Sequence, residues 1–275
     1  MQIGGVRLGR GAPLALIAGP CVVEDEATLF AAAEALASLR DAHGLAVIFK
    51  SSYEKDNRTS ASAYRGPGLA AGLSLLRAVR ERFGLPVLAD VHRAEDVASA
   101  AEALDAVQVP ALLSRQTSFL ETVAACGRPV VLKKGQFLSA RGVAGALEKL
   151  RGAGAREVLV VERGSCFGYD RLVVDFGALD ELRGLGCPVA LDAGHPAPKR
   201  DSIPTLARAG VAAGVDALFV ECHPDPGRAL CDGERMLSLH VLAEELPVWL
   251  RVAAVVRGGG ASVGSGALAG SSSLP

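Results

Sequence analysis

Eight short apolar runs, each too brief for a helix, recur along this chain and constrain its architecture. They are LALIAG at 14–19, LAVIFK at 45–50, PVLADV at 86–91, AVQVPA at 106–111, PVVLKK at 129–134, EVLVVER at 157–163, PVALDAG at 188–194 and ALFVEC at 217–222. Their bodies are apolar on both faces, the pattern of parallel strands covered on both sides. Between them lie segments with helical spacing. In 26–40, Leu29, Ala33, Leu36 and Leu39 form one stripe while Glu26, Glu34 and Arg40 face away. Leu69, Leu73, Leu76, Val79 and Phe83 repeat the pattern over 69–83, and similar segments follow at 94–104, 117–125, 142–151, 177–184, 202–213 and 234–253. Gly44, Gly84, Gly127, Gly186 and Gly214 close several of them, as glycines do at helix C-termini.

Eight strand–helix units within 275 residues predict an α/β fold, a (β/α)8 TIM barrel, as one domain over residues 1–257. A doubly wound open sheet is the rival, but no Gly-rich dinucleotide loop follows the first strand. Residues 2–13 precede that strand and are expected to form a hairpin at the barrel's bottom. The Gly/Ser-rich tail, 258–275, is expected to be disordered.

Composition narrows the function classes. With 29 Lys+Arg against 30 Asp+Glu, the net charge of −1 argues against a nucleic-acid binder. No window approaches the roughly 18 uninterrupted apolar residues of a membrane span. The opening MQIGGVRLGR lacks the pattern of a secretory signal. The cysteines at 21, 126, 166, 187, 222 and 231 form no CxxC pair and read as reduced thiols. A cytoplasmic protein with neither membrane nor nucleic-acid partners is expected.

Polar residues mark the end of every run: Gly19-Pro20-Cys21, Lys50-Ser51-Ser52, Asp90-Val91-His92, Gln108, Lys133 to Gln136, Glu162-Arg163, Asp192 to His195 and Glu221 to His223. In a (β/α)8 barrel these ends converge on the one face that carries catalysis. The cations Lys50, Lys55, Arg58, Arg115, Lys133, Lys134 and Arg163 suit phosphate and carboxylate groups. Four of the six lysines in the chain lie at or beyond strand ends 2 and 5, so near-neutrality averages a basic mouth with an acidic exterior. For Lys134, solvated surface charge and a pocket role weigh about evenly.

A second set, Cys21, His195, Glu221 and Asp232 with His223 nearby, mixes sulfur, nitrogen and oxygen donors. Such a set suits a borderline divalent ion such as Zn²⁺, Fe²⁺ or Mn²⁺. Its members are too far apart in sequence for a spacing test, and a buried Cys is more often a small core hydrophobe. Closure of the barrel, which makes strands 1 and 8 neighbours, is what would unite them.

GPCVVE at 19–24, FKSSYEKDNRTSASAYRGPGL at 49–69, QVPALLSRQT at 108–117, VLKKGQF at 131–137, ERGSCFGYDRLVVD at 162–175 and ECHPDPGRALCDG at 221–233 occur in this order. Together they closely resemble the 3-deoxy-D-manno-octulosonate 8-phosphate (Kdo8P) synthase family, from about residue 14 to 245. The resemblance implies a (β/α)8 homotetramer that condenses phosphoenolpyruvate with arabinose 5-phosphate and releases phosphate, a step in lipopolysaccharide Kdo biosynthesis. It implies that Lys50, Lys55, Gln108, Lys133, Gln136 and Arg163 hold phosphoenolpyruvate. Arg115 would reach a phosphate in a neighbouring subunit's site. Asn57, Arg58 and Thr59 would hold the aldose, the last two on its phosphate, and Asp90 would meet sugar hydroxyls or a metal-bound water. Lys50, Lys55, Asp90, Lys133 and His195 are the implied catalytic set, with Lys55 or Lys133 as proton donor.

The same family has metal-dependent members with Cys after Gly-Pro and metal-independent members with Asn there. Cys21 places this chain with the former, with His195, Glu221 and Asp232 as the other ligands of a divalent metal. Cys231-Asp232-Gly233 resembles the latter class instead. The chain also departs from the family after His195, where GHPAPKRDSIPTLARAG replaces a longer Ser-Val-Gln and Gly-rich loop. Pro198 stands where a substrate-contacting Gln is usual, and Gly194 replaces a Thr. The phosphoenolpyruvate half is therefore expected intact and the aldose half altered. The alternatives are a paralogue using another aldose phosphate, with erythrose 4-phosphate disfavoured by the KDNRTS turn, or a non-catalytic phosphosugar-binding paralogue.

Overall fold

The computed structural model describes residues 1–167 and 171–258. The predicted tail, apart from Gly258, lies outside the described residues, as do Gly168, Tyr169 and Asp170 of the ERGSCFGYDRLVVD segment. Eight parallel strands close into a barrel: β1 (Ala15–Gly19), β2 (Ala46–Lys50), β3 (Val87–Asp90), β4 (Ala106–Val109), β5 (Val130–Lys133), β6 (Val158–Glu162), β7 (Val189–Asp192) and β8 (Ala217–His223). Each pairs with its neighbours in chain order. Closure comes at β8, which pairs with β7 through Ala217 and Ala190 and with β1 through Ala217 and Ala15. The helices are α1 (Glu26–His43), α2 (Leu69–Phe83), α3 (Val97–Ala103), α4 (Thr117–Ala125), α5 (Ala140–Gly152), α6 (Ala178–Gly184), α7 (Ile203–Ala212) and α8 (Leu239–Arg257).

Strand alternation divides the apolar residues between two cores. Leu16 and Ala18 of β1, Val47 and Phe49 of β2, and Leu218 and Val220 of β8 face the helix layer. Ala15, Ile17, Ile48, Leu88, Ala106, Val131, Leu159, Val161, Ala190 and Phe219 fill the barrel's interior. The expected N-terminal hairpin pairs Gln2–Ile3 with Val6–Arg7, and its Ile3 and the adjoining Leu8 are buried in that interior cluster. The chain thus plugs its own barrel before the first strand begins.

Local signals set most helix ends. Asp25 caps α1 by accepting from Thr28 N at 2.7 Å. Gly44 and Gly84 adopt left-handed conformations (φ 60° and 63°) that let their N–H groups reach Arg40 O and Arg80 O. Two helix starts fall three residues or more later than the sequence expectation. The segment 94–104 opens with a single 3-10 turn, Ala94–Asp96, before α3. The last helix starts at Leu239, not 234, because Gly233–Arg235 form a 3-10 turn and Leu237–Ser238 pair with the end of β8. Ser238 then caps α8, its Oγ accepting from Val241 N at 3.2 Å.

Candidate active site and metal centre

The strand period carries the interior phase past the barrel's apolar layer and into its mouth. Two residues beyond inward Ile48 comes Lys50, beyond Leu88 comes Asp90, and beyond Ala106 comes Gln108. Val131 leads in this way to Lys133, Val161 to Arg163, Ala190 to Asp192 and Phe219 to Glu221. The interior of the barrel is therefore apolar at its base and ionic at its top.

These side chains form a lattice of alternating charge. Lys50 Nζ lies 2.8 Å from Glu221 Oε1, 3.1 Å from the Cys21 carbonyl and 3.9 Å from Asp90 Oδ2. Asp90 also accepts from Lys55, Gln108 and, at 3.0 Å, from Ser52 Oγ. Lys133 Nζ sits 3.0 Å from Asp192 Oδ2 and 4.0 Å above the centre of the Phe219 ring. Burial pushes the Asp90 carboxyl up, but Lys55, Lys50 and Lys133 outweigh it and hold it well below the usual carboxylate range. Burial likewise opposes the charges of Lys50 and Lys55. Glu221 for the first and Asp90 for the second more than restore them, and both pKa values are raised. Such lysines stay charged at neutral pH, which suits anion binding more than proton transfer.

The four expected metal ligands lie at the open end, divided between two groups that Asp232 joins. The donor atoms of His195, Glu221 and Asp232 lie within 4.8 Å of one another, and so do those of Cys21, Cys231 and Asp232, so Asp232 joins two triads. Cys21 Sγ is 3.3 Å from Asp232 Oδ2. His195 Nδ1 faces Asp192 Oδ2 at 2.8 Å, an arrangement that would leave Nε2 as the nitrogen available to a metal. Burial lowers the His195 pKa against the pull of Asp192, with Lys133 and Arg163 reinforcing it, and a neutral imidazole is the ligating form. Glu221 Oε2 is buried with no hydrogen-bond partner among the described residues. An unpartnered carboxylate oxygen beside sulfur and imidazole donors fits a divalent cation.

Several anion-binding candidates take distinct places. Arg163 Nη1 donates to Gln136 Oε1 at 2.9 Å, while its buried Nε has no partner among the described residues. Arg58 Nη1 lies 2.9 Å from both Asp232 Oδ1 and Cys231 Sγ, so the loop carrying Asn57, Arg58 and Thr59 is latched to the candidate metal ligands. Asn57 and Thr59 are exposed on the same loop. Arg115 is also exposed, outside its own barrel's lattice.

Lys134 answers to neither of its two sequence readings. It is buried and donates to Leu138 O at 3.0 Å, Gly164 O at 3.2 Å and Ser165 Oγ at 3.0 Å, with Glu162 at 3.4 Å. It ties the loop after β5 to the loop after β6. His223 is buried too and stands apart from both triads. Its Nδ1 accepts from Asp225 N at 2.9 Å and its Nε2 faces Glu24 at 3.5 Å.

Asp192, Ser52 and Phe219 belong to the site without having been assigned roles from the sequence. Asp192 and Ser52 are marked by their strand-end positions, whereas Phe219 carries no chemical signal of its own. The short loop after His195 leaves a cavity of about 360 Å³ walled by Ala197, Pro198, Lys199, Arg200, Asp201, Glu234 and Arg235. Arg235 Nη1 donates to the His195 carbonyl, and Arg200 Nη2 donates to Gly233 O at 2.7 Å.

A closed barrel with an ionic mouth and metal-type donors at its C-terminal rim defines a (β/α)8 enzyme for small anionic substrates. Comparison with known proteins sharpens this class. The profile of the DAHP synthetase I family matches residues 1–256. A "2-dehydro-3-deoxyphosphooctonate aldolase" of Syntrophotalea carbinolica is 45% identical over 269 residues, covering 94% of this chain and 97% of the relative. Proteins of the same name from Synechococcus sp. (46% over 256 residues, 89% of this chain and 90% of the relative) and Alkalilimnicola ehrlichii (45% over 271 residues, 94% and 98%) are similarly close. The chain belongs to the DAHP synthetase I family and, within it, to the 2-dehydro-3-deoxyphosphooctonate aldolase (Kdo8P synthase) group.

Proposed function

We propose that this chain condenses phosphoenolpyruvate with an aldose phosphate, arabinose 5-phosphate, to give Kdo8P and inorganic phosphate. The observation that carries the reading is the buried lattice of Lys50, Lys55 and Lys133 beside the His195–Glu221–Asp232 triad, in a chain 45% identical to proteins of that name. Two anions must meet for C–C bond formation, and clustered cations offset their repulsion while fixing their orientation. Lys50, Lys55, Gln108, Lys133, Gln136 and Arg163 take phosphoenolpyruvate. Arg163's unpartnered Nε and the Lys133 ammonium over Phe219 are donors available to its anionic groups. The enol carbon attacks the aldehyde carbon, water adds to the neighbouring carbon, and the tetrahedral product expels phosphate by C–O cleavage.

Cys21, His195, Glu221 and Asp232 would hold a divalent ion, which supplies Lewis-acid polarisation or water activation when bound. Asp90, kept ionised by three lysines, is the carboxylate placed to accept from a sugar hydroxyl or a water. Asn57, Arg58 and Thr59 take the aldose, its phosphate falling to Arg58 and Thr59. For that, Arg58 exchanges its contact with Asp232 for the substrate. Arg115, exposed on its own subunit, serves a neighbouring copy in a homotetramer. The setting is cytoplasmic Kdo biosynthesis. Among the described residues no helix is long and apolar enough to cross a membrane.

The test is phosphate release from phosphoenolpyruvate with a panel of aldose phosphates, with and without chelator. Turnover with arabinose 5-phosphate, abolished by chelator and restored by Zn²⁺ or Mn²⁺, is the expected result. Turnover with a different aldose only would overturn the acceptor, a choice the small loop after His195 makes worth testing. Undiminished turnover in metal-stripped protein would remove the ion from the reaction.

A further inference from the structure

Cys231 enters the metal centre from a direction that the four-ligand reading does not use. Its Sγ lies 3.2 Å from Cys21 Sγ, and both residues are 1% exposed. The neighbouring Asp232 reaches the same sulfur at 3.3 Å. Consecutive side chains usually diverge, yet here two in a row converge on one atom. The backbone shows how: Asp232 has φ 51° and ψ 28°, and it is the one non-glycine residue with positive φ among the described residues. A left-handed conformation is unfavourable for most residues with a Cβ and recurs where a site imposes it.

A bland account treats Cys21 and Cys231 as two small hydrophobes packed with Val22 and Met236. The polar surroundings of Cys231 argue otherwise. Arg58 Nη1 sits 2.9 Å from its sulfur, and Asp232 follows it directly in the chain. A guanidinium in that place offsets part of the negative charge that two thiolates and two carboxylates bring to a divalent ion. Glu221 Oε2, 2% exposed as a residue and without a partner among the described residues, supplies independently a buried acceptor of the kind a cation takes.

We propose that Cys231 is a further ligand of this centre, so that the ion is held by two thiolates, Cys21 and Cys231, alongside His195, Glu221 and Asp232. This rests on the metal reading given above and changes its character. Two sulfur donors make the site soft, selecting a zinc-like ion over Mn²⁺ or Mg²⁺, which prefer oxygen. It also gives the Cys231-Asp232 pair a joint role, since one strained turn delivers a sulfur and a carboxylate to the same ion.

Cobalt(II) substitution tests this in the full-length, reduced protein through the sulfur-to-cobalt charge-transfer absorption, which is independent of catalysis. The intensity is expected to fall by about half in Cys231→Ser and by a similar amount in Cys21→Ser, as for one thiolate lost of two. Zn²⁺ affinity, read by competition with a chromophoric chelator, is expected to fall in Cys231→Ser by more than the roughly 10–100-fold typical of losing an outer-shell partner, while Mn²⁺ affinity changes little. Cys231→Ala and circular dichroism separate ligand loss from misfolding. A charge-transfer band that Cys231→Ser leaves unchanged and Cys21→Ser abolishes would overturn the second thiolate while keeping the metal. Wild-type protein that takes up no cobalt would overturn the metal reading itself.

Discussion

Lys50 Nζ lies 2.8 Å from Glu221 Oε1 across the barrel mouth, with both side chains no more than 3% exposed. The pair bridges β2 and β8, two strands away from one another around the barrel. A buried ion pair contributes little when intact, because desolvation offsets attraction, but removing one partner strands the other charge. Lys50→Met is therefore expected to lower stability by about 3–5 kcal/mol and the melting temperature by on the order of 10 °C. The Lys50→Met/Glu221→Leu double variant should recover most of that stability and none of the activity. Equal melting of the single variant and the parent would show that the pair serves substrate alone.

Asp90 sets an acid limit on stability. Its folded pKa is depressed, since burial is outweighed by Lys55, Lys50 and Lys133. A depressed carboxyl contributes fully above its unfolded value, about 3.9, and that contribution is lost as pH falls through the folded value. Asp192 and Glu221 act in the same direction. The carboxylate contribution should therefore hold steady above about pH 5 and drop steeply below about pH 4. It comes on top of a shallower decline that begins below about pH 6.5, as the depressed His195 and His92 are protonated in the unfolded chain. In Asp90→Asn, a lower melting temperature at neutral pH with a shallower acid limb is expected. A limb as steep as the parent's would assign the acid sensitivity elsewhere.

Strand register explains which parts of this site could be read from the sequence. The runs gave eight strands, and in seven of them, all but the first, the inward position just past the apolar layer is a polar residue, so Lys50, Asp90, Gln108, Lys133 and Glu221 were legible as mouth residues. Lys133 and Lys134 are identical in chemistry and adjacent, and only the phase of β5 separates them. Val131 faces the interior, so Lys133 does too, while Lys134 turns aside to Glu162, which is off-phase on β6 in the same way. Composition cannot supply that phase; a count of two from the inward apolar residue can. The Cys21–Cys231 contact was not legible, because the turn at Asp232 breaks the regular geometry on which such counting relies. The start of α8 was misplaced for a related reason, as the turn and short strand before it have no periodic signature.

Lys134 and Lys133 should accordingly fail in different ways. Lys134→Met leaves Glu162 buried without its cation and frees three carbonyl or hydroxyl acceptors, so a loss of about 3–5 kcal/mol in stability is expected. Lys133→Met also leaves a buried carboxylate, Asp192, without its lysine, so a comparable loss of stability is expected, but it should in addition reduce kcat/KM by at least about a hundredfold through lost charge stabilisation. An equal loss of kcat/KM in both variants would contradict the register argument.

Arg115 offers a test of assembly. It is exposed in its own subunit and lies outside the lattice, although a role in a neighbour's site is implied for it. Arg115→Ala and Lys133→Ala are each expected to be nearly inactive alone. Co-refolding or subunit exchange between them should restore activity, because hybrid sites combine an intact Lys133 from one copy with an intact Arg115 from another. No recovery in demonstrably mixed oligomers would confine Arg115 to its own subunit.

The cavity after His195 offers a test of where the aldose phosphate binds. Lys199, Arg200 and Arg235 supply three cations to its wall against Asp201 and Glu234, and Arg235 holds the His195 carbonyl at the edge of the metal centre. A wall of this kind favours an anionic group, and the loop that forms it is the one expected to be altered in the aldose half. Arg235→Ala is expected to raise KM for the aldose phosphate roughly tenfold, the scale of one exposed charge-assisted contact, and to leave KM for phosphoenolpyruvate within about twofold. The ratio of the two effects is the informative quantity. If both KM values rise together, Arg235 acts by holding the His195 backbone in place and the cavity takes no part in choosing the acceptor.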